Sequence, residues 1–276
     1  MSLVVNTNVL SLITQTDLAN TNLKLNNAVQ QLSSGLRINS AMDDPAGLAI
    51  ATGMQAQVNG MNQGIINANA AISLAQTADG AMGSITNMLQ QMRTLAVEAA
   101  NGTNTGQGDS DLNAEYQQLA SQITMTLKNT MFNGIAIFSQ ASAMTYQIGA
   151  NTTDQIAVTG MTLASATTLQ AANLGNLNTG TFATTAITNV DAALQTVNSA
   201  RATNGANEIR FQQVVASMQV DSQNTAAAES QIMDTDYAQA TSELTQAEIV
   251  QQAGVAMLSQ ANSIPQNVLS LLAKLP

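Results

Sequence analysis

The sequence predicts a mainly α protein: a long helical hairpin, or coiled-coil rod, formed by paired N- and C-terminal halves, with a small β-hairpin region at the tip. Three observations predict it. Helical periodicity is strong at both ends of the 276 residues and weakest in the middle. The apolar fraction of 45% is ordinary, but it is built from Ala, Leu, Ile, Val and 14 Met, with 3 Tyr, 4 Phe and no Trp. Aromatic rings supply the largest buried area per residue, so these side chains suit helices packed closely along their length better than a thick core. Period-two patterning is confined to short runs between residues 135 and 159.

In chain order, Leu18, Leu25, Val29, Leu32 and Leu36 recur at helical steps. The next segment opens with "DDPAGLAIA". Asp43 or Asp44 is a good N-cap, and Pro45 suits the first helical position. Its stripe runs through Met54, Val58, Met61, Ile65, Ala68, Ile72 and Ala75, then Met82, Ile85, Leu89, Met92, Ala96 and Ala99. Unbroken helix over 46–100 would reach about 80 Å at about 1.5 Å per residue. Gly53, Gly60, Gly64, Gly80 and Gly83 lie inside it, each costing up to about 1 kcal/mol relative to Ala. They leave two readings open: close helix approach, or a break near Gly80 to Gly83.

"NGTNTGQGDSD" (101–111) is a loop by composition. A shorter helix follows, with Leu112, Tyr116, Leu119, Ile123 and Leu127 on one face, and "FNG" (132–134) is a turn. "IAIF" (135–138), "MTYQIG" (144–149) and "QIAVT" (155–159) read as strands. Residues 160–183 show no period; helix resumes about 184 with Ile187, Val190, Leu194 and Val197, with a bend at Gly205 as one reading. The last stripe is Leu244, Ala247, Val250, Ala253, Met257, Ala261, Ile264, Val268 and Leu271, near the coiled-coil period. Pro265 predicts a kink or end there.

Charge and composition exclude several function classes. Only 9% of residues are charged and the net charge is −10. Lys24, Arg37, Arg93, Lys128, Arg201, Arg210 and Lys274 are scattered, which argues against nucleic-acid and anionic-membrane partners. With no His and no Cys, thiolate and imidazole ligands are excluded, and no cofactor is expected. Asp43–Asp44 reads as a helix cap and not as a metal pair. Asp109 and Asp111 lack the spaced oxygen ligands of a calcium loop. "GQG" lacks a phosphate-loop lysine. No convergent catalytic set points to an enzyme. The N-terminus has no basic region followed by an apolar run, so no cleaved signal peptide is expected.

A two-helix pair has one narrow seam. A second residue set points away from it: Leu3, Val4, Leu10 and Ile13 at one end, Val255, Leu258, Leu269 and Leu272 at the other. Two readings remain open. The termini form a polymerisation element that orders when neighbouring copies cover both faces, or the chain is an antiparallel bundle whose ends pack on its own core.

Local motifs add a resemblance. "QQLSSGLRINSAMDDPAGLAI" (30–50) is similar to the N-terminal signature of bacterial flagellin, and "LTQAEIVQQAGVAMLSQANSIPQNVLSLL" (244–272) to its C-terminal signature. "LQQMRTLAVEAANGTNT" (89–105) and "FNG" resemble its first-domain segments. The resemblance covers residues 1 to about 140 and about 185 to 276. Departures are "EIRF" (208–211) where the family has an arginine-led NRF, and "SQI" (230–232) where it has SRI. The resemblance implies a self-polymerising subunit of the extracellular flagellar filament. Residues 1–44 with 236–276 would form an inner coiled-coil domain, disordered until assembled. Residues 45–235 would form a helical rod domain with a small β region at about 135–183, and large outer domains would be missing.

The polymerisation residues would be Leu10, Ile13, Leu32, Leu36, Val250, Met257, Leu258, Ile264, Val268 and Leu271. Partners implied are other copies of the chain, an export chaperone, and cap and junction proteins. Export would be through the flagellum-specific type III apparatus. A Toll-like receptor surface of the family resembles Arg93, Leu95 and Glu115 here. Gln91 stands where the family pattern has arginine, and a glutamine cannot match an arginine's charge-assisted bonds, so weakened recognition is expected. The competing readings are a hook–filament junction protein and a surface adhesin or immune ligand binding through residues 160–183.

Overall fold

The computed structural model describes residues 7–104, 106–139, 142–178 and 180–272, with side chains described as far as residue 265. It is mainly α with a small β region. Helices α1 (Val9–Ser34), α2 (Pro45–Ala99) and α3 (Gly106–Asn129) precede two antiparallel hairpins, β1 (Met131–Phe132) with β2 (Ile135–Ala136) and β3 (Met144–Gln147) with β4 (Gln155–Val158). Two 3-10 turns and the short α4 (Ala171–Leu174) lead into α5 (Gly180–Met233) and α6 (Tyr237–Leu272). The chain divides into two compact units, Met1–Gln55 with Thr225–Pro276, and Ala56–Asn224.

Several helix ends follow local chemistry. Asn8 caps α1, its Oδ1 accepting the Ser11 N–H at 3.1 Å. Gly35 closes it with φ +75°, its N–H returning to the Gln31 carbonyl at 2.8 Å; positive φ suits glycine. Asp44 is the cap of α2, with Oδ1 accepting from the N–H groups of Ala46 and Gly47. Asp43 instead ties the preceding turn, accepting from the N–H groups of Ser40 and Asn39. Those backbone bonds hold its carboxyl below the usual carboxylate range.

The structure departs from the sequence-based expectations at several points. α2 has no break at Gly80 or Gly83, and α5 starts at Gly180 and runs on through Gly205. A stripe buried on one side outweighs the small propensity cost of single glycines. α6 does not end at Pro265 but continues to Leu272. "IAIF" is only half strand: Ile137 and Phe138 leave β2 and are fully buried.

In the unit of residues 56–224, α2, α3 and α5 bury one continuous apolar seam. Met82, Ile85, Leu89 and Met92 meet Tyr116, Ile123 and Leu127 with Val190 and Val197. The segment with no sequence period closes over this seam: Leu163, Leu169, Leu174 and Leu177 are all buried. Polar bonds fix it, with the Tyr116 hydroxyl donating to the Leu174 carbonyl at 2.6 Å and the Leu177 N–H donating to Asn113 Oδ1 at 2.9 Å. Burial pushes the Tyr116 phenol pKa upward.

Ion pairs Arg201–Asp79 and Arg93–Asp191, with the Asn204 amide on the Ala75 carbonyl, stitch α2 to α5. The β3–β4 hairpin packs on the same two helices: Ile156 and Val158 meet Ala68, Ala71, Phe211 and Met218. Tyr146 meets Phe211 edge-on, with ring centroids 5.2 Å apart.

Candidate assembly surface

The unit formed by the two chain ends is an antiparallel pair of α1 and α6. Its seam in α1 is Ser11, Thr14, Leu18, Thr21, Leu25, Ala28 and Leu32, each buried or half-buried. In α6 the corresponding set is Ala240, Leu244, Ala247, Gln251, Gly254, Leu258 and Ala261. Both sets step alternately by three and four, the spacing of a coiled-coil seam. Direct contacts mark the register. Gln251 Nε2 donates to Asn22 Oδ1 at 2.7 Å, a Cβ on Gly254 would meet Leu18 Cδ1 at 3.4 Å, and Ser11 Oγ donates to Asn262 Oδ1 at 2.9 Å. At the opposite end the Arg37 N–H donates to the Met233 carbonyl and the Thr235 N–H to the Gly35 carbonyl.

The expected seam through Val250, Ala253 and Met257 is therefore off by one position. These three are exposed, and Leu258, expected to face away, is in the seam. Ala240, Ala247, Gly254 and Ala261, at seven-residue intervals, alternate in the seam with Leu244, Gln251 and Leu258, and Val250 and Met257 lie outside it. Val9, Leu10, Leu12, Ile13 and Leu23 on α1 are exposed, as are Ile249, Val250, Val255 and Met257 on α6, with Leu23 and Ile249 61–62% accessible. Burying a Leu-sized side chain contributes about 1.5–3 kcal/mol, and this unit leaves most of that unused. Clustered exposed apolar side chains mark an interaction surface.

Of the sequence-derived polymerisation residues, Leu10, Ile13, Val250 and Met257 are exposed. Leu32 and Leu258 lie half-buried in the seam, Ile264 is half-buried, and Leu36 forms an antiparallel bridge with Asp234. The side chains of Val268 and Leu271, like those of Leu269 and Leu272, lie outside the described residues, as do Leu3 and Val4. In the other unit Gln91, Arg93 and Glu115 are exposed and Leu95 is half-buried against the bundle core. Arg93 Nε donates to Asp191 at 2.7 Å. Sequence reasoning passed over Asn8, Ser11, Gln251 and Gly254. The seven-residue spacing of Ala240, Ala247, Gly254 and Ala261 was the readable signal. Among the described residues, no helix is long and apolar enough to cross a membrane.

Comparison with known proteins agrees with this geometry. Residues 5–143 match the family model of the bacterial flagellin N-terminal helical region, and residues 187–272 that of the C-terminal helical region. The chain is similar to a flagellin of Halalkalibacterium halodurans, 40% identical over 89% of this chain and 90% of that one. It is also similar to the flagellar filament 33 kDa core protein of Treponema phagedenis, 34% identical over 98% of this chain and 100% of the relative. Among solved structures, the crystal structure of Bacillus cereus flagellin aligns with a TM-score of 0.51 at 34% identity, covering 59% of this chain and 94% of that chain.

Proposed function

The chain belongs to the bacterial flagellin family and is a structural subunit of the flagellar filament, and from that premise we propose how its residues serve assembly. The two matched regions leave only residues 144–186 between them, so the chain is a short flagellin. Residues 1–44 with 236–276 act as the inner coiled-coil domain, which gains its full order in the polymer, and residues 45–235 act as the rod domain.

The observation that carries this reading is the exposed apolar set on α1 and α6, led by Leu10, Ile13, Val250 and Met257. Neighbouring copies cover it through heterologous contacts that propagate as an open helix. The same apolar face of α6 is what an export chaperone holds before the chain leaves the cell through the flagellar type III apparatus. Cap and junction proteins meet the ends of the extracellular filament.

Electron microscopy of the full chain, concentrated with a precipitating salt, beside a version lacking residues 1–40 and 240–276, tests this reading. Long filaments from the full chain and none from the truncated one are expected. Stubs from the full chain would favour the junction-protein reading, and filaments from both would remove the termini from assembly.

Gln91, Arg93, Leu95 and Glu115 form a weakened receptor surface, in which Gln91 presents a neutral amide where a guanidinium would make charge-assisted bonds. Gln91→Arg should tighten Toll-like receptor binding about tenfold, by on the order of 1.5 kcal/mol. Unchanged affinity in a surface-binding assay would remove Gln91 from the contact.

A further inference from the structure

α6 continues as helix from Tyr237 to Leu272 although Pro265 lies inside it. A proline has no N–H and leaves the carbonyl four residues earlier without its helical donor. Here that is the carbonyl of Ala261, a residue only 1% exposed. A shielded carbonyl without a partner is costly, and this one has a partner: Asn8 Nδ2 donates to Ala261 O at 2.8 Å across 253 residues of chain. The other half of the same amide, Oδ1, accepts the Ser11 N–H that caps α1. The two bonds use opposite ends of one amide and fix its orientation. Next to them Ser11 Oγ donates to Asn262 Oδ1.

We propose that Asn8 is a positioning residue that sets the register of the two terminal helices by supplying the hydrogen bond Pro265 removes. Each other α6 residue from Thr241 to Leu272 keeps its N–H, so the Ala261 carbonyl is the one docking point in the helix interior, before the last turn. A one-residue slip takes the amide off it. The helix beyond Pro265 and the start of α1 then order together, because an undocked N-terminus leaves the Ala261 carbonyl unpaired. This goes beyond the apolar surface, which supplies adhesion but no unique register.

The test is amide hydrogen exchange over residues 262–272 of the full chain, with and without precipitating salt. Asn8→Asp keeps the cap acceptor and loses the donor. Asn8→Ser keeps a cap hydroxyl and loses the reach. Each should speed exchange about tenfold. With Pro265→Ala, which restores a backbone donor to Ala261, the same changes should have less than about twofold effect. Equal acceleration in both backgrounds would reduce Asn8 to an ordinary helix cap, and the proposal would be wrong. It also fails if Asn8→Asp changes nothing, or if the wild-type amides exchange freely in both conditions. Sedimentation of the same samples reads assembly separately, so loss of filaments with the exchange pattern intact counts only against the polymerisation reading.

Discussion

Ile13→Asp and Met257→Asp should each abolish filament formation while leaving the unit of residues 56–224 folded. Both side chains are more than half exposed in the subunit, at 53% and 55%, so a charge there is solvated and the free chain tolerates it. On the proposed assembly a neighbouring copy covers the position. An unpaired carboxylate in an apolar contact costs several kcal/mol, on the order of 3–5 when no partner is supplied. Each 1.4 kcal/mol or so is about tenfold in affinity, so the critical concentration should rise by at least about 100-fold. Turbidity and sedimentation against concentration measure it, and circular dichroism checks that helix content and the main melting transition are kept. Wild-type assembly by either variant would place the contact on another face.

Gly64→Ala should undock the β3–β4 hairpin and lower the melting temperature, whereas Gly80→Ala in the same helix should raise it. A Cβ on Gly64 would collide with the carbonyl of Ile148 and sit 3.1 Å from the Gly149 nitrogen. Both are backbone atoms, so no rotamer change relieves the clash. One turn earlier, a Cβ on Gly60 would collide with Ala150. The hairpin must retreat, loosening Ile156 and Val158 from Ala68, Ala71 and Phe211. Forcing an extra carbon into a packed site costs about 1–3 kcal/mol, or roughly 2–4 °C per kcal/mol for a domain of this size. Nothing lies within 4 Å of a Cβ on Gly80, so only the helix gain of up to about 1 kcal/mol remains there. Limited proteolysis should show new cleavage within 144–158 in Gly64→Ala alone. A common sign for both substitutions would mean the close approach is not what Gly64 provides.

The sequence by itself determined the helical class, the chain order of the elements and the family. Those rest on short-range signals: stripes at steps of three and four, Pro45 behind an acidic cap, the "FNG" turn and the motifs at both ends. It also determined that the termini carry more apolar surface than one helix pair can bury. Other assignments needed the tertiary structure. Large side chains outrank small ones on any hydrophobicity scale, so the stripe through Val250 and Met257 stood out. The seam keeps Leu244, Ala247 and Ala261 of that stripe but takes Gln251, Gly254 and Leu258 in place of Val250, Ala253 and Met257, and at Gly254 the missing side chain leaves room for Leu18 of α1. Leu163, Leu169, Leu174 and Leu177 show no period because they are spread over two 3-10 turns, one turn of helix and the loop after it, and the bundle beneath decides their burial. Pro265 predicted a kink or an end of the helix, since a helix interior cannot supply the missing donor. Asn8 supplies it from the other end of the chain, and a contact across 253 residues leaves no local mark in the sequence.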